Sequence, residues 1–310
     1  SFYQNRQGEV FQYRPSGYER MESRPEIISL QALKASGKVI LTNSDASLID
    51  LGDEVACLEF HSKGNSLGQL SVEMILLSVA EAERNYRGLV LANEGKNFCA
   101  GANIAELLAT AKAGDWDRLD ETIRQFQRAI KALSGLSRPY AAAPHQKTLG
   151  GGVEVCLPAD VIVFSPETYF GLVETGIGVL PAGGGCKELA LRVSQQHRDP
   201  KADLQPAINR AFETIAMAKV STSGFDADRL GFMRPTDIVI ANPDFRVYEA
   251  KMAVLNLDRS GYRKPLPEKI RVVGEDGKAV MKFAAYSQHQ SGNCTEHDRK
   301  VAGKVAHVLA

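Results

Sequence analysis

The 310-residue chain lacks most of the features that would declare a function outright. It has no excess of either charge: lysine plus arginine number 37, aspartate plus glutamate number 37, and no basic block occurs. That balance argues against nucleic acid or an anionic membrane as a partner. No apolar run approaches the roughly 18 residues of a membrane span, and the opening SFYQNRQGEV holds no signal-peptide core. The five cysteines (Cys57, Cys99, Cys156, Cys186, Cys294) form no C-x-x-C pair, and three sit in apolar runs. They read as reduced core thiols of a cytoplasmic protein. The six histidines have no H-E-x-x-H or comparable spacing, so no metal site is expected, and His145 reads as a turn residue. No Walker sequence or G-x-G-x-x-G follows any strand, so the chain offers no nucleotide fingerprint of its own.

What is present is enough apolar material, 44% of residues, for a sizeable core. The length suits one large domain with extensions or two small ones. Residues 1 to about 26 show no helical or strand period and read as a linker. From Glu54 the pattern sharpens: EVACLEFH reads as a strand, LGQLSVEMILLSVAEAE as an amphipathic helix and GLVLANE as a buried strand. The alternation recurs with PYAAAP, a helix starting at Gly151, and DVIVFS, which predicts an α/β fold with parallel pairing. Between them Leu119, Ile123, Phe126, Ile130 and Leu133 form one helical face, read as core packing. Later come a helix beginning near Ala207, another around Ala227, irregular structure over Tyr262–Gly277, and a capped helix from Thr295 onward. The last hundred residues are expected to be mostly helical, packed on the core or on a neighbouring subunit.

Chemistry concentrates between Leu149 and Gly185, in LGGGVEVCLPADVIVFSPETYFGLVETGIGVLPAGGG. Gly150, Gly151 and Gly152 can be a plain turn into a helix, and a carboxylate among apolar residues is often half of an ion pair. Together they suggest more. Glu154 lies in a run with no polar face, so its helix is expected to be buried. Glycines at a helix start expose backbone N–H groups that have no intrahelical partner, which suits a developing oxyanion. An apolar pocket raises a glutamate's pKa toward the range where it exchanges protons at neutral pH. With Glu174 as a second carboxylate, the stretch points to proton chemistry next to a carbonyl.

These blocks, with GLVLANEGKNFCAGANI upstream, resemble the signature segments of the crotonase (enoyl-CoA hydratase/isomerase) superfamily, in the same order and over roughly Glu54 to Ala190. NSDASLIDLGDEVACLEFHS and FETIAMAKVSTS add a resemblance to the C-terminal hydratase half of bacterial fused 3-hydroxyacyl-CoA dehydrogenase/enoyl-CoA hydratase proteins. The resemblance implies a crotonase-like ββα superhelix with a mostly helical C-terminal region. It divides the chain into a linker or tail of a preceding domain (1–45), a crotonase-like core (46–200) and a helical region (201–310).

By the same resemblance the backbone N–H groups of Ala102 and Gly151 hold a thioester oxygen. Glu154 acts as base toward a water, Glu174 protonates the α-carbon, and Ala100, Asn103, Ile104, Gly150 and Gly152 lie along the bound substrate. Asn103 has a second reading, as a residue that fixes a helix start. The implied reaction is hydration of trans-2-enoyl-CoA in fatty-acid β-oxidation, with a coenzyme A thioester as substrate and no prosthetic group. NAD would serve only a dehydrogenase half outside this chain. The implied partners are that preceding dehydrogenase domain, a thiolase and further copies of the chain. Other crotonase reactions, such as double-bond isomerisation or thioester hydrolysis, and a non-catalytic acyl-CoA-binding module are the alternatives; keeping both glutamates favours hydration. One departure stands out: His145-Gln146 replaces the Asn-Gly turn that many members carry before the triple glycine, which leaves acyl preference open.

Overall fold

A computed structural model of the chain describes residues 2–6, 9–20, 24–267 and 269–310. The N-terminal segment differs from the irregular linker expected of it: β1 (Tyr3–Arg6), β2 (Glu9–Arg14) and β3 (Gly17–Arg20) form an antiparallel sheet. Its strands are short and mix aromatic with charged residues, pairing Phe11 with Arg20 and Tyr13 with Tyr18. Such a pattern carries little alternation to read.

The chain continues through α1 (Leu30–Ala35), β4 (Val39–Thr42), β5 (Ala46–Asp50), β6 (Val55–Phe60), α2 (Gln69–Asn85), β7 (Gly88–Leu91), α3 (Ile104–Lys112) and α4 (Trp116–Gly135). Next come β8 (Tyr140–Ala142), β9 (Gln146–Leu149), α5 (Gly151–Cys156), β10 (Val161–Phe164), β11 (Thr168–Gly171) and α6 (Gly185–Gln196). The remainder is α7 (Gln205–Ala216), α8 (Asp226–Arg229), β12 (Ile238–Val239), α9 (Arg246–Arg259), α10 (Gly274–Gln290) and α11 (Glu296–Leu309).

A seven-stranded sheet in the order β12-β10-β8-β7-β6-β5-β4 is parallel from β12 to β6 and antiparallel across β6, β5 and β4. Side chains alternate between its faces, as strand geometry requires. Ala56, Leu58, Phe60, Leu89, Leu91, Tyr140, Ala142, Ile162 and Phe164 enter the larger core, which α2, α4 and α5 cover. Val55, Cys57, Val90, Ala141 and Val163 face the other side, where α1 and α9 close a second core through Leu30, Val247, Ala250 and Val254. Burial on both faces explains why these strands read as continuous apolar runs.

The helical C-terminal region packs on its own chain: α9 lies on β6, β7, β8 and β10, while α11 contacts α6, α7 and α10. A capping box between Thr295 and Asp298 starts α11, where the sequence predicts an N-cap. The expected irregular stretch stops earlier than Gly277, because Gly274–Gly277 is the first turn of α10, with Glu275 and Asp276 favoured by the N-terminal end of its dipole. All five cysteines are free and all but Cys294 are buried.

At the His145-Gln146 departure, Gln146 takes a φ of 48°, the left-handed conformation for which glycine is the default residue. Gln146 thus holds the left-handed conformation without a glycine there. Gln146→Gly is expected to leave stability within about 1 kcal/mol of wild type, and β-branched Gln146→Val to lower it by about 1–2 kcal/mol. Urea denaturation reads both, and a valine variant as stable as wild type would mean that the turn tolerates a β-branched residue without strain.

Candidate active site

Three parallel segments deliver their C-terminal ends to one place. β9 and β11 pair with Leu149 opposite Gly171, outside the large sheet. A parallel bridge joins Cys99 to Thr148 and another joins Ala102 to Leu67. The chain leaving Cys99 passes Ala102, the chain leaving β9 becomes α5 with Gly151 and Glu154, and the chain leaving β11 enters the short turn Glu174–Ile177. Residues far apart in sequence converge because the strands before them run the same way.

The Ala102–Leu67 bridge is made by flanking residues: Leu67 N donates to Gly101 O at 2.8 Å and Asn103 N to Leu67 O at 2.9 Å. Parallel pairing of this kind turns Ala102's own N–H away from Leu67. Gly151 is the first residue of α5, where an N–H has no acceptor within the helix. The two meet, since a methyl group on Gly151 would sit 3.6 Å from Ala102 N. Close packing dictates the neighbouring glycines. Gly150 holds φ 55° and ψ −123°, and a side chain on Gly152 would press into Cys99 Cβ at 2.5 Å.

Glu154 is buried, as its sequence context predicts, at 3% exposure. Its Oε1 accepts from Gly184 N at 2.9 Å and Gly185 N at 2.8 Å, at the N-terminus of the 12-residue α6. Burial pushes its pKa up, and the N–H groups of Gly185, Gly184 and Gly183 pull against that shift by stabilising the anion. The Oε2 of Glu174 is buried without a hydrogen-bond partner, and burial, followed by the charge of Glu154, pushes its pKa up to about 8. For Glu174 the opposing pull comes from its own backbone N–H and that of Val173. The Gly184 and Gly185 N–H groups thus favour the anion at Glu154, whereas burial and the neighbouring charge favour the protonated form of Glu174.

Of the other residues singled out in the sequence, Ala100 and Ile104 are exposed beside Ala102. Asn103 caps α3 by accepting from Glu106 N. Sequence reasoning missed Phe126 and Leu67, whose atoms lie 3.4 and 3.3 Å from a methyl built on Gly151. Phe126 also abuts Gly183, which therefore has no room for a side chain. Phe126 reads in the sequence as core packing and Leu67 as part of a helix; the one available signal is the second triple glycine, which implies a close neighbour. His145 is buried in the turn, its Nε2–H donating to Gly95 O at 2.7 Å, and burial pushes its pKa down to about 4. A surface cavity of about 220 Å³ between α3 and α4 does not include Glu154 or Glu174. Among the described residues no cluster of His, Cys, Asp and Glu could hold a metal ion, and no helix is long and apolar enough to cross a membrane.

Residues 52–199 match the family described as Enoyl-CoA hydratase/isomerase. A Bacillus subtilis (strain 168) protein named "Probable 3-hydroxyacyl-CoA dehydrogenase" is 44% identical over 310 residues, which is 100% of this chain and 39% of that protein. The Fatty acid oxidation complex subunit alpha of Shewanella oneidensis is 34% identical over 145 residues, 44% of this chain and 20% of that one. The chain thus spans well under half the length of either relative. Among solved structures, an enoyl-CoA hydratase from Bacillus anthracis aligns with a TM-score of 0.55 at 20% identity, covering 85% of this chain and 89% of that one. An enoyl-CoA hydratase from Polaromonas sp. JS666 gives 0.57 at 19% identity, covering 85% and 90%. At these identities the likeness is one of fold.

Proposed function

Residues 52–199 belong to the crotonase (enoyl-CoA hydratase/isomerase) superfamily, with its fold, and from that membership we propose that the chain adds water to trans-2-enoyl-CoA to give 3-hydroxyacyl-CoA. The observation that carries this reading is the contrast between its two carboxylates: Glu154 accepts hydrogen bonds from Gly184 and Gly185 that favour its anion, whereas Glu174 has a buried, unpartnered Oε2 and its pKa is pushed up to about 8 by burial and by Glu154. A hydratase needs both states at once.

The thioester oxygen sits between the N–H groups of Ala102 and Gly151, which stabilise the enolate-like charge as it forms. Removing one such donor from a site typically costs about 10²- to 10³-fold in rate. Glu154 accepts a proton from water while the water oxygen bonds to Cβ, and Glu174 gives its proton to Cα. The sum is one water added across the double bond, with both carboxyls returned to their starting states by transfer of the proton from Glu154 to Glu174. No metal or nicotinamide enters any step.

The Bacillus subtilis relative bears the name of the enzyme class that uses 3-hydroxyacyl-CoA, the product proposed here. That supports reading this chain as the hydratase part of a longer dehydrogenase-containing polypeptide in fatty-acid oxidation. Incubated with trans-2-enoyl-CoA and no added cofactor, the chain is expected to abolish the enoyl thioester absorbance and form 3-hydroxyacyl-CoA. Migration of a Δ3 double bond without hydration would favour the isomerase reading. Binding of acyl-CoA without turnover across short and long chains would favour a binding module.

A further inference from the structure

The two carboxylates are fixed by different means. Glu154 is tied down through its own side chain, by two backbone N–H groups. Glu174 has a buried Oε2 with no partner, and the backbone hydrogen bonds to its carboxyl come from Val173 and Glu174 themselves, so its placement depends on the backbone turn that carries it, Glu174–Ile177, closed by Gly178 at φ 81°.

That turn is held from the C-terminal helical region. Thr175 Oγ1 donates to the carbonyl of Ile215, in α7, at 2.7 Å. His297, in the first turn of α11, has Nε2 at 2.7 Å from the carbonyl of Gly178, and because a carbonyl only accepts, the imidazole donates. The helix behind His297 is a firm base: Val305, Ala306 and Leu309 are fully buried, and α11 packs on α6 and α7. α6 is also the helix whose N-terminus holds Glu154. One helical layer therefore supports both carboxylates, the first through α6 and the second through α7 and α11.

We propose that His297 is a positioning residue for Glu174: its hydrogen bond to Gly178, together with that of Thr175 to Ile215, fixes the Glu174 turn and makes the C-terminal helix α11 part of the catalytic apparatus. The kinetic side of this inference rests on the hydratase reading, whereas its geometric side does not. A loosened turn would let water reach the Glu174 carboxyl. Its pKa, which burial and Glu154 hold at about 8, would then fall toward 4.5. The titratable groups facing Glu174 are Glu154 from α5 and Cys186 from α6, and neither is altered by changing His297.

The test compares the whole chain as wild type, His297→Ala, His297→Gln and Thr175→Val. Turnover of trans-2-enoyl-CoA is expected to show kcat reduced about 10- to 100-fold in His297→Ala with KM within about two-fold, the signature of a displaced reacting group. His297→Gln, which retains a donor at a similar reach, is expected to recover most of the loss. Independently of turnover, ¹³C NMR titration of carboxyl-labelled glutamate, with the Glu174 signal assigned by its absence in Glu174→Gln, is expected to show a lower midpoint in His297→Ala and Thr175→Val. Wild-type kcat together with a wild-type Glu174 midpoint in His297→Ala would overturn the proposal. Absence of hydration by the wild type would defeat the hydratase reading alone, since the NMR titration still decides the positioning role.

Discussion

Glu154→Gln and Glu174→Gln are each expected to lower kcat by about 10²- to 10⁴-fold while KM moves only a few-fold, since each removes a proton transfer and not a contact to coenzyme A. The substitutions are gentle on the structure. A glutamine oxygen at position 154 can still accept from Gly184 and Gly185, so the loss reads as chemistry and not as collapse of the α6 N-terminus. The double variant is expected to be scarcely slower than the worse single one, because groups that act on one water lose most of their joint effect with the first deletion. Exchange of the α-proton of a bound acyl-CoA with solvent deuterium separates the roles. Glu174→Gln should suppress it more than Glu154→Gln if Glu174 is the acid at Cα. Hydration at a near wild-type rate by either single variant would remove that residue from the mechanism.

The same Glu174→Gln exchange is expected to make the folded chain more stable at pH 8 while nearly abolishing turnover. The folded-state pKa of about 8 lies above the ordinary 4.5, so between these values the folded chain keeps a proton that the unfolded chain releases. Stability from this group is then fully present below pH 4.5 and is lost as pH rises through about 8. The slope reaches at most about 1.4 kcal/mol per pH unit, which amounts to a loss on the order of a few kcal/mol across the window. Glutamine has no charge to desolvate, and its presence also relieves the repulsion felt by Glu154. Urea denaturation of both proteins over a pH series should therefore give curves that diverge as pH rises. Parallel curves would mean that Glu174 ionises normally in the folded state.

Such a site, destabilising in one charge state and needed in the proposed reaction, accounts for an otherwise odd feature of the chain. Two glutamates are embedded among apolar residues, and among the described residues no lysine or arginine forms an ion pair with either. The structure supplies backbone N–H groups to one and nothing to Oε2 of the other. A conventional ion pair at Glu174 would favour its charged form and lower its pKa, removing the acid that the proposed mechanism needs.

The sequence by itself determined the alternation of buried strands β6, β7, β8 and β10 with helices, the burial of Glu154, and the start of α11 at Thr295. Each depends on neighbours within a few residues: side-chain period, apolar runs, a capping box. It also marked Gly150–Gly152 and Gly183–Gly185 as unusual without saying what approached them. Only the tertiary structure decided that Gly184 and Gly185 hold Glu154, that Phe126 presses on Gly183, and that His297 reaches Gly178 from 119 residues away. The short β1–β3 sheet and the pairing of β9 with β11 belong with these, since register between strands is not written in either strand alone. The physical reason is common to all of them. A pKa set by desolvation, or a glycine required by a neighbour's ring, depends on which segments pack together. That choice follows from filling one core, so no local pattern within a segment carries it.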